Sequence, residues 1–94
     1  MRVYLHLGND VVVKTEEIIG IFDLDNTTLS RHTRNYLTLR EKKREVINVS
    51  YELPKTFIVC SNKKSKKQII YISQISSQTL LKRIGYSENF NLKE

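Results

Sequence analysis

From Arg2 to Leu7 the chain alternates, with Val3, Leu5 and Leu7 on one side and Arg2, Tyr4 and His6 on the other. This two-residue period predicts a strand with one buried face. Gly8-Asn9-Asp10 supplies turn residues, so Val11 to Lys14 is expected to pair antiparallel with the first strand. Thr15-Glu16-Glu17 breaks the pattern at a second bend. Ile18 to Leu24 is then apolar on both faces up to Asp23, which predicts a central strand covered on two sides. Gly20 within it marks a bulge or a close backbone approach. Asn26, Thr27 and Thr28 can each cap a helix, so this strand feeds a helix with almost no loop.

That helix spans roughly Leu29 to Arg44 and is rich in cations. At 3.6 residues per turn, Arg31, Arg34, Thr38 and Lys42 fall in one sector. Leu29, Thr33, Tyr36 and Arg40 fall opposite, with Leu37 at the margin. Val46 to Val49 reads as a fourth strand, and Pro54 fixes the loop after it. Thr56 to Cys60 and Gln68 to Ser73 form a hairpin whose tip is Ser61-Asn62-Lys63-Lys64-Ser65-Lys66-Lys67. Ser76 or Ser77 caps a short last helix, with Leu80, Leu81 and Ile84 facing the sheet, Lys82 and Arg83 in the last turn, and Gly85 ending it. The expected fold is α+β: a small, mainly antiparallel sheet of about six short strands, one basic helix after the third strand, and a short C-terminal helix. Residues 1–85 make one domain, and 86–94 a tail that is loosely ordered unless a neighbouring subunit holds it.

Charge narrows the partners. Sixteen Lys and Arg against ten Asp and Glu give a formal charge of +6 and a pI near 9.6, which attracts polyanions at long range. Nucleic acid is the commonest such partner. An anionic membrane is a poorer match, because the basic helix lacks a large apolar face, and no apolar run approaches the roughly 18 residues that span a bilayer. A 94-residue chain buries roughly 65% of its unfolded surface, so association between copies would add stability. No signal peptide opens the sequence and Cys60 is the single cysteine, which makes the cytoplasm the expected compartment.

Catalytic chemistry is not expected. His6 and His32 have no motif linking them to Cys60 or to a serine. No Cys or His pair has zinc spacing, and the three glycines form no phosphate-cradling loop. Asp23 and Asp25 read as a strand end favouring a helix N-terminus rather than a metal or acid–base pair. No catalytic residue, metal, cofactor or small-molecule substrate is therefore expected. The lysines at 63, 64, 66 and 67 lie outside any apolar pattern, and two readings stand open: solvation, or a grip on phosphate. The same two readings apply to the helix face carrying Arg31 and Arg34. Lysine lacks arginine's fork, so such a loop positions DNA more readily than it reads bases. Neither a helix-turn-helix nor an aromatic RNA-binding sheet motif is present.

The sequence resembles the RemA and RemB family of bacterial extracellular matrix regulators, most of all the RemB branch. The likeness runs through Tyr4-Leu5-His6-Leu7-Gly8, Ile18-Ile19-Gly20-Ile21-Phe22-Asp23, Asn26-Thr27-Thr28, Thr33-Arg34, Leu53-Pro54-Lys55, Tyr71-Ile72-Ser73 and Ile75-Ser76-Ser77. It implies a bacterial cytoplasmic regulator of biofilm-matrix genes, a LytTR-like subunit, and a homo-oligomeric ring with double-stranded DNA along it. Where the RemA branch has DNA-contacting arginines, this chain has Glu17 and Glu52-Leu53, with only Lys55 basic nearby. The expected DNA-binding residues are thus Lys55, Lys63, Lys64, Lys66 and Lys67, assisted by Arg31 and Arg34. The competing expectation is an oligomeric adaptor that contacts proteins and uses its lysines for solubility.

Overall fold

The computed structural model describes residues 3–24 and 31–85. The helix-capping residues Asn26 to Thr28, together with Arg2, Asp25, Leu29 and the tail 86–94, lie outside them. Strands β1 (Tyr4–Gly8) and β2 (Val11–Lys14) form an antiparallel hairpin. Gly8 pairs with Val11, and Asn9 and Asp10 between them have φ of 46° and 65°. Two positive φ values in a two-residue loop are what a strand-matched turn requires, and Asn and Asp tolerate them best after glycine. Leu5 and Leu7 are buried as the alternation predicts, whereas Val3 is exposed.

A single 3-10 turn, Thr15–Glu17, leads into β3 (Ile18–Asp23), which is followed by α1 (Arg31–Lys42), β4 (Val46–Asn48), β5 (Thr56–Ser61), β6 (Gln68–Ser73) and α2 (Ser77–Arg83). The second sheet has the order β3-β5-β6-β4 and is separate from the β1–β2 hairpin. Its pairings are antiparallel except for β4 with β6, which run parallel. The fold is therefore α+β and mostly antiparallel, but in two sheets.

The expectation of a central β3 is corrected: β3 is an edge strand, and β5 is central. Thr56 to Cys60 are all buried. The difference has a physical source. Ile18 and Ile21 of β3 pack into the core, while Ile19 and Phe22 stand on the other side at 58% and 46% exposure. A register shift between Ile18 and Gly20 inserts one extra residue there, which puts Ile21 rather than Gly20 on the core side with Ile18. An edge strand lining a cleft carries the same two-faced apolar pattern as a buried one.

Two packed layers result. Phe57, Val59 and Ile70 meet Tyr36 and Leu37 of α1 on one face of the sheet. On the other face, Ile58 and Cys60 meet Leu5, Leu7 and Val13 of the hairpin and Leu80 of α2. The buried polar side chains among the described residues, Ser73 and Thr56, are satisfied across this second layer. Ser73 Oγ donates to Leu7 O at 2.8 Å, and Thr56 Oγ1 donates to Ile75 O at 3.0 Å.

Each helix has one end closed by a cap. Along α1, Thr33, Tyr36, Leu37 and Arg40 are half-buried while Arg31, Arg34, Thr38 and Lys42 are exposed, the division expected from angular position. Its C-terminus closes with Arg44 N–H to Glu41 O and Glu45 N–H to Arg40 O, both 2.9 Å, around Arg44 at φ 59°. That is a Schellman cap with arginine where glycine is favoured. In α2, Ser76 is the N-cap and its Oγ accepts from Thr79 N at 3.2 Å. Gly85 follows the helix at φ 79°.

Candidate nucleic-acid interface

The basic tip of the β5–β6 hairpin is ordered by its own backbone and by one asparagine. Asn62 N–H donates to Lys67 O at 3.0 Å, and Lys66 N–H donates to Asn62 O at 2.7 Å. Asn62 Oδ1 accepts from Lys64 N and Ser65 N at 2.8 and 3.1 Å, an Asx turn of the kind that asparagine and aspartate side chains make. Lys66 holds φ 58°. Lys63, Lys64, Lys66 and Lys67 are all exposed, so the loop presents four ammonium groups on a defined turn.

The sheet register decides which other cations join them. Ile70 N–H donates to Glu45 O at 2.7 Å, and Val46 pairs with Ile70. This brings the end of α1 to the hairpin end of the sheet. Lys42, Lys43 and Arg44 are exposed there. Sequence reasoning missed these three as partners of the tip, because only the parallel β4–β6 pairing places them beside it. Arg31 and Arg34 open the same helix, up to about 17 Å away along its axis. Lys55 precedes β5 at its other end, about 20 Å from the tip along the strand. Its backbone is fixed by N–H donation to Ser73 O and by acceptance from Leu24 N. One subunit thus gathers the four hairpin lysines with the end of α1, but not with Lys55, Arg31 or Arg34.

Acids at this end leave most of the charge uncompensated. Glu45 is taken by Arg40, whose Nη1 donates to it at 2.7 Å. That bond is the main reason the Arg40 pKa is held above its ordinary value. Glu16 lies 3.9 Å from Lys63, both well exposed, a pair that contributes little in water. Glu41 is exposed on α1. Both Arg44 and Lys66 occupy left-handed backbone positions, each costing about 1 kcal/mol relative to glycine. The positions to which the resemblance assigns arginines are also separated: Glu17 precedes β3 at the hairpin end, and Glu52-Leu53 lie in the loop before β5 at the opposite end.

Among the described residues no cluster of His, Cys, Asp or Glu could hold a metal ion. His6 and His32 are both exposed. Cys60 is buried, and burial, reinforced by Glu17, pushes its thiol from 9.0 up to about 12. Tyr71 is raised by its own burial first, then by Cys60 and Glu17. A thiol so placed is a poor nucleophile. Because the folded state keeps a proton that the unfolded chain releases, stability from these groups is intact below pH 9 and lost as pH rises toward 12. Denaturant midpoints are expected to hold near pH 8 and to fall above pH 9, with Cys60 inert to a disulfide reagent at pH 8 until the chain unfolds. Rapid labelling of the folded protein would contradict this burial.

No described helix is long and apolar enough to cross a membrane. The family profile described as "Extracellular matrix regulatory protein A-like" matches residues 4–84. The chain is also similar to Extracellular matrix regulatory protein B of Bacillus subtilis (strain 168), with 37% identity over 83 residues, covering 88% of this chain and 91% of that one.

Proposed function

Because the chain belongs to the RemA/RemB family of extracellular matrix regulatory proteins, we propose that it regulates by gripping duplex DNA along the phosphate backbone, as a homo-oligomer. The observation that carries this reading is that Lys63, Lys64, Lys66 and Lys67 share one end of the sheet with Lys42, Lys43 and Arg44, all exposed. Contact with phosphate releases condensed counterions, and lysines on a short loop suit backbone following rather than base readout. Lys55, Arg31 and Arg34 join this track only through neighbouring copies. Repetition by symmetry turns modest contacts into useful affinity.

Association is supported by the outer edge of β4 and the loop after it, where Ile47, Tyr51 and Leu53 are 42%, 108% and 81% exposed. Apolar groups beside an open strand edge favour pairing with another chain. The regulatory compartment on this reading is the bacterial cytoplasm. The adaptor alternative gains from the acids at Glu17 and Glu52.

Fluorescence anisotropy against a labelled duplex tests the proposal. Affinity should fall by orders of magnitude between about 50 and 200 mM salt, roughly as the number of phosphates contacted, and light scattering of the same sample should exceed the 11.1 kDa subunit mass. Absence of binding at low salt, or affinity indifferent to salt, would favour the adaptor.

A further inference from the structure

Between α1 and the β3–β5 half of the sheet lies a cleft of about 620 Å³, within the size range of small-ligand sites. It lies on the face away from the β1–β2 hairpin and α2. Its floor is aromatic and aliphatic: Phe22 stacks on Phe57 with ring centroids 4.9 Å apart and planes 19° from parallel, flanked by Ile19 and Val59. Phe22 and Ile19 remain half exposed, while Phe57 and Val59 beneath them are buried.

The polar groups of the cleft are sorted along its length. At the hairpin end stand Arg40, Tyr36 and Gln68, with Tyr36 Oη donating to Gln68 Oε1 at 2.7 Å. Asp23, opposite Thr56, marks the other end, and His32 also lines the wall. Arg40 is held in place by Glu45 and by the Tyr36 ring, 5.1 Å from its guanidinium carbon. Glu45 takes Nη1, and Nε is buried with no hydrogen-bond partner. A buried donor left unpaired is costly; the rest of the guanidinium fork keeps donors beyond the one given to Glu45.

We propose that this cleft is a binding site for a small, flat aromatic carboxylate, its ring against Phe22 and Ile19 and its carboxylate at Arg40. The site is independent of the DNA reading, since none of the exposed lysines lines it. Asp23 fixes the direction, repelling the carboxylate from the far end. Arginine is the side chain best shaped to take a carboxylate at a pre-oriented position.

The test uses the full-length protein and naphthalene-2-carboxylate, with naphthalene-2-carboxamide as the uncharged isostere, followed by amide NMR. The carboxylate should shift resonances of Ile19, Phe22, Tyr36, Arg40 and Gln68 saturably and bind roughly tenfold more tightly than the carboxamide. Ile19→Ser, a change at an exposed position, should weaken both compounds. Equal affinity of the two compounds would overturn the anion assignment. Shifts confined to other residues, or none at millimolar ligand, would overturn the site, as would a cleft closed to both probes because a second copy covers it.

Discussion

Replacing Lys63, Lys64, Lys66 and Lys67 together by glutamine is expected to flatten the salt dependence of DNA binding by about 3.6 in the log–log slope, at roughly 0.9 for each phosphate no longer neutralised. Affinity near 0.1 M salt should drop by about three to four orders of magnitude in consequence. The hairpin itself should persist, because its turn is held by Asn62 and by backbone bonds to Lys66 and Lys67 rather than by lysine side chains. Anisotropy titrations of the native and substituted proteins at several salt concentrations measure the change. A variant with unaltered slope would return the lysines to a solvation role and favour the adaptor.

The second large effect belongs to the core. Ile58 is fully buried at the centre of β5, against the β1–β2 hairpin and α2. Cutting it to alanine removes buried methyl groups and leaves a cavity, which costs about 2–5 kcal/mol. Small domains have about 5–15 kcal/mol in all, so Ile58→Ala should shift the urea midpoint severely or leave the chain unfolded at moderate temperature. The reason is architectural: Ile58 sits where the β1–β2 hairpin and α2 both pack on the sheet. The same truncation at Ile19, on the edge strand and 58% exposed, should change the midpoint far less. Near-equal losses at the two positions would contradict the assignment of β5, not β3, as the centre.

The β1–β2 hairpin, the two faces of α1, the β5–β6 hairpin and the Ser76 cap of α2 rest on local periodicity and turn chemistry, and each is legible in the sequence. Strand order is not. Ile18 to Asp23 satisfies the apolar pattern of a central strand, yet the position of β3 is set by its partner β5, more than thirty residues later, and by the cleft beside α1. The parallel β4–β6 pairing is equally nonlocal, and it alone brings Lys42, Lys43 and Arg44 to the lysine tip. The positive φ values at Arg44 and Lys66 cannot be read from residue type either, since nothing in an arginine or a lysine announces a left-handed backbone. The cleft at Arg40 is hidden for a related reason. In the sequence, Arg40 is one more cation in a basic helix, and only its burial against Tyr36 and Glu45 separates it from the exposed ones.

The proposed DNA binding depends above all on the hairpin tip and the end of α1 forming one grip. Lysine footprinting probes that grip directly: the protein is acylated with and without excess duplex DNA at low salt, and each lysine is read by mass spectrometry. DNA should protect Lys42, Lys43, Lys63, Lys64, Lys66 and Lys67 together, while Lys82, exposed on α2, stays reactive. Protection of Lys82 in place of the hairpin set, or uniform reactivity with DNA bound, would contradict it.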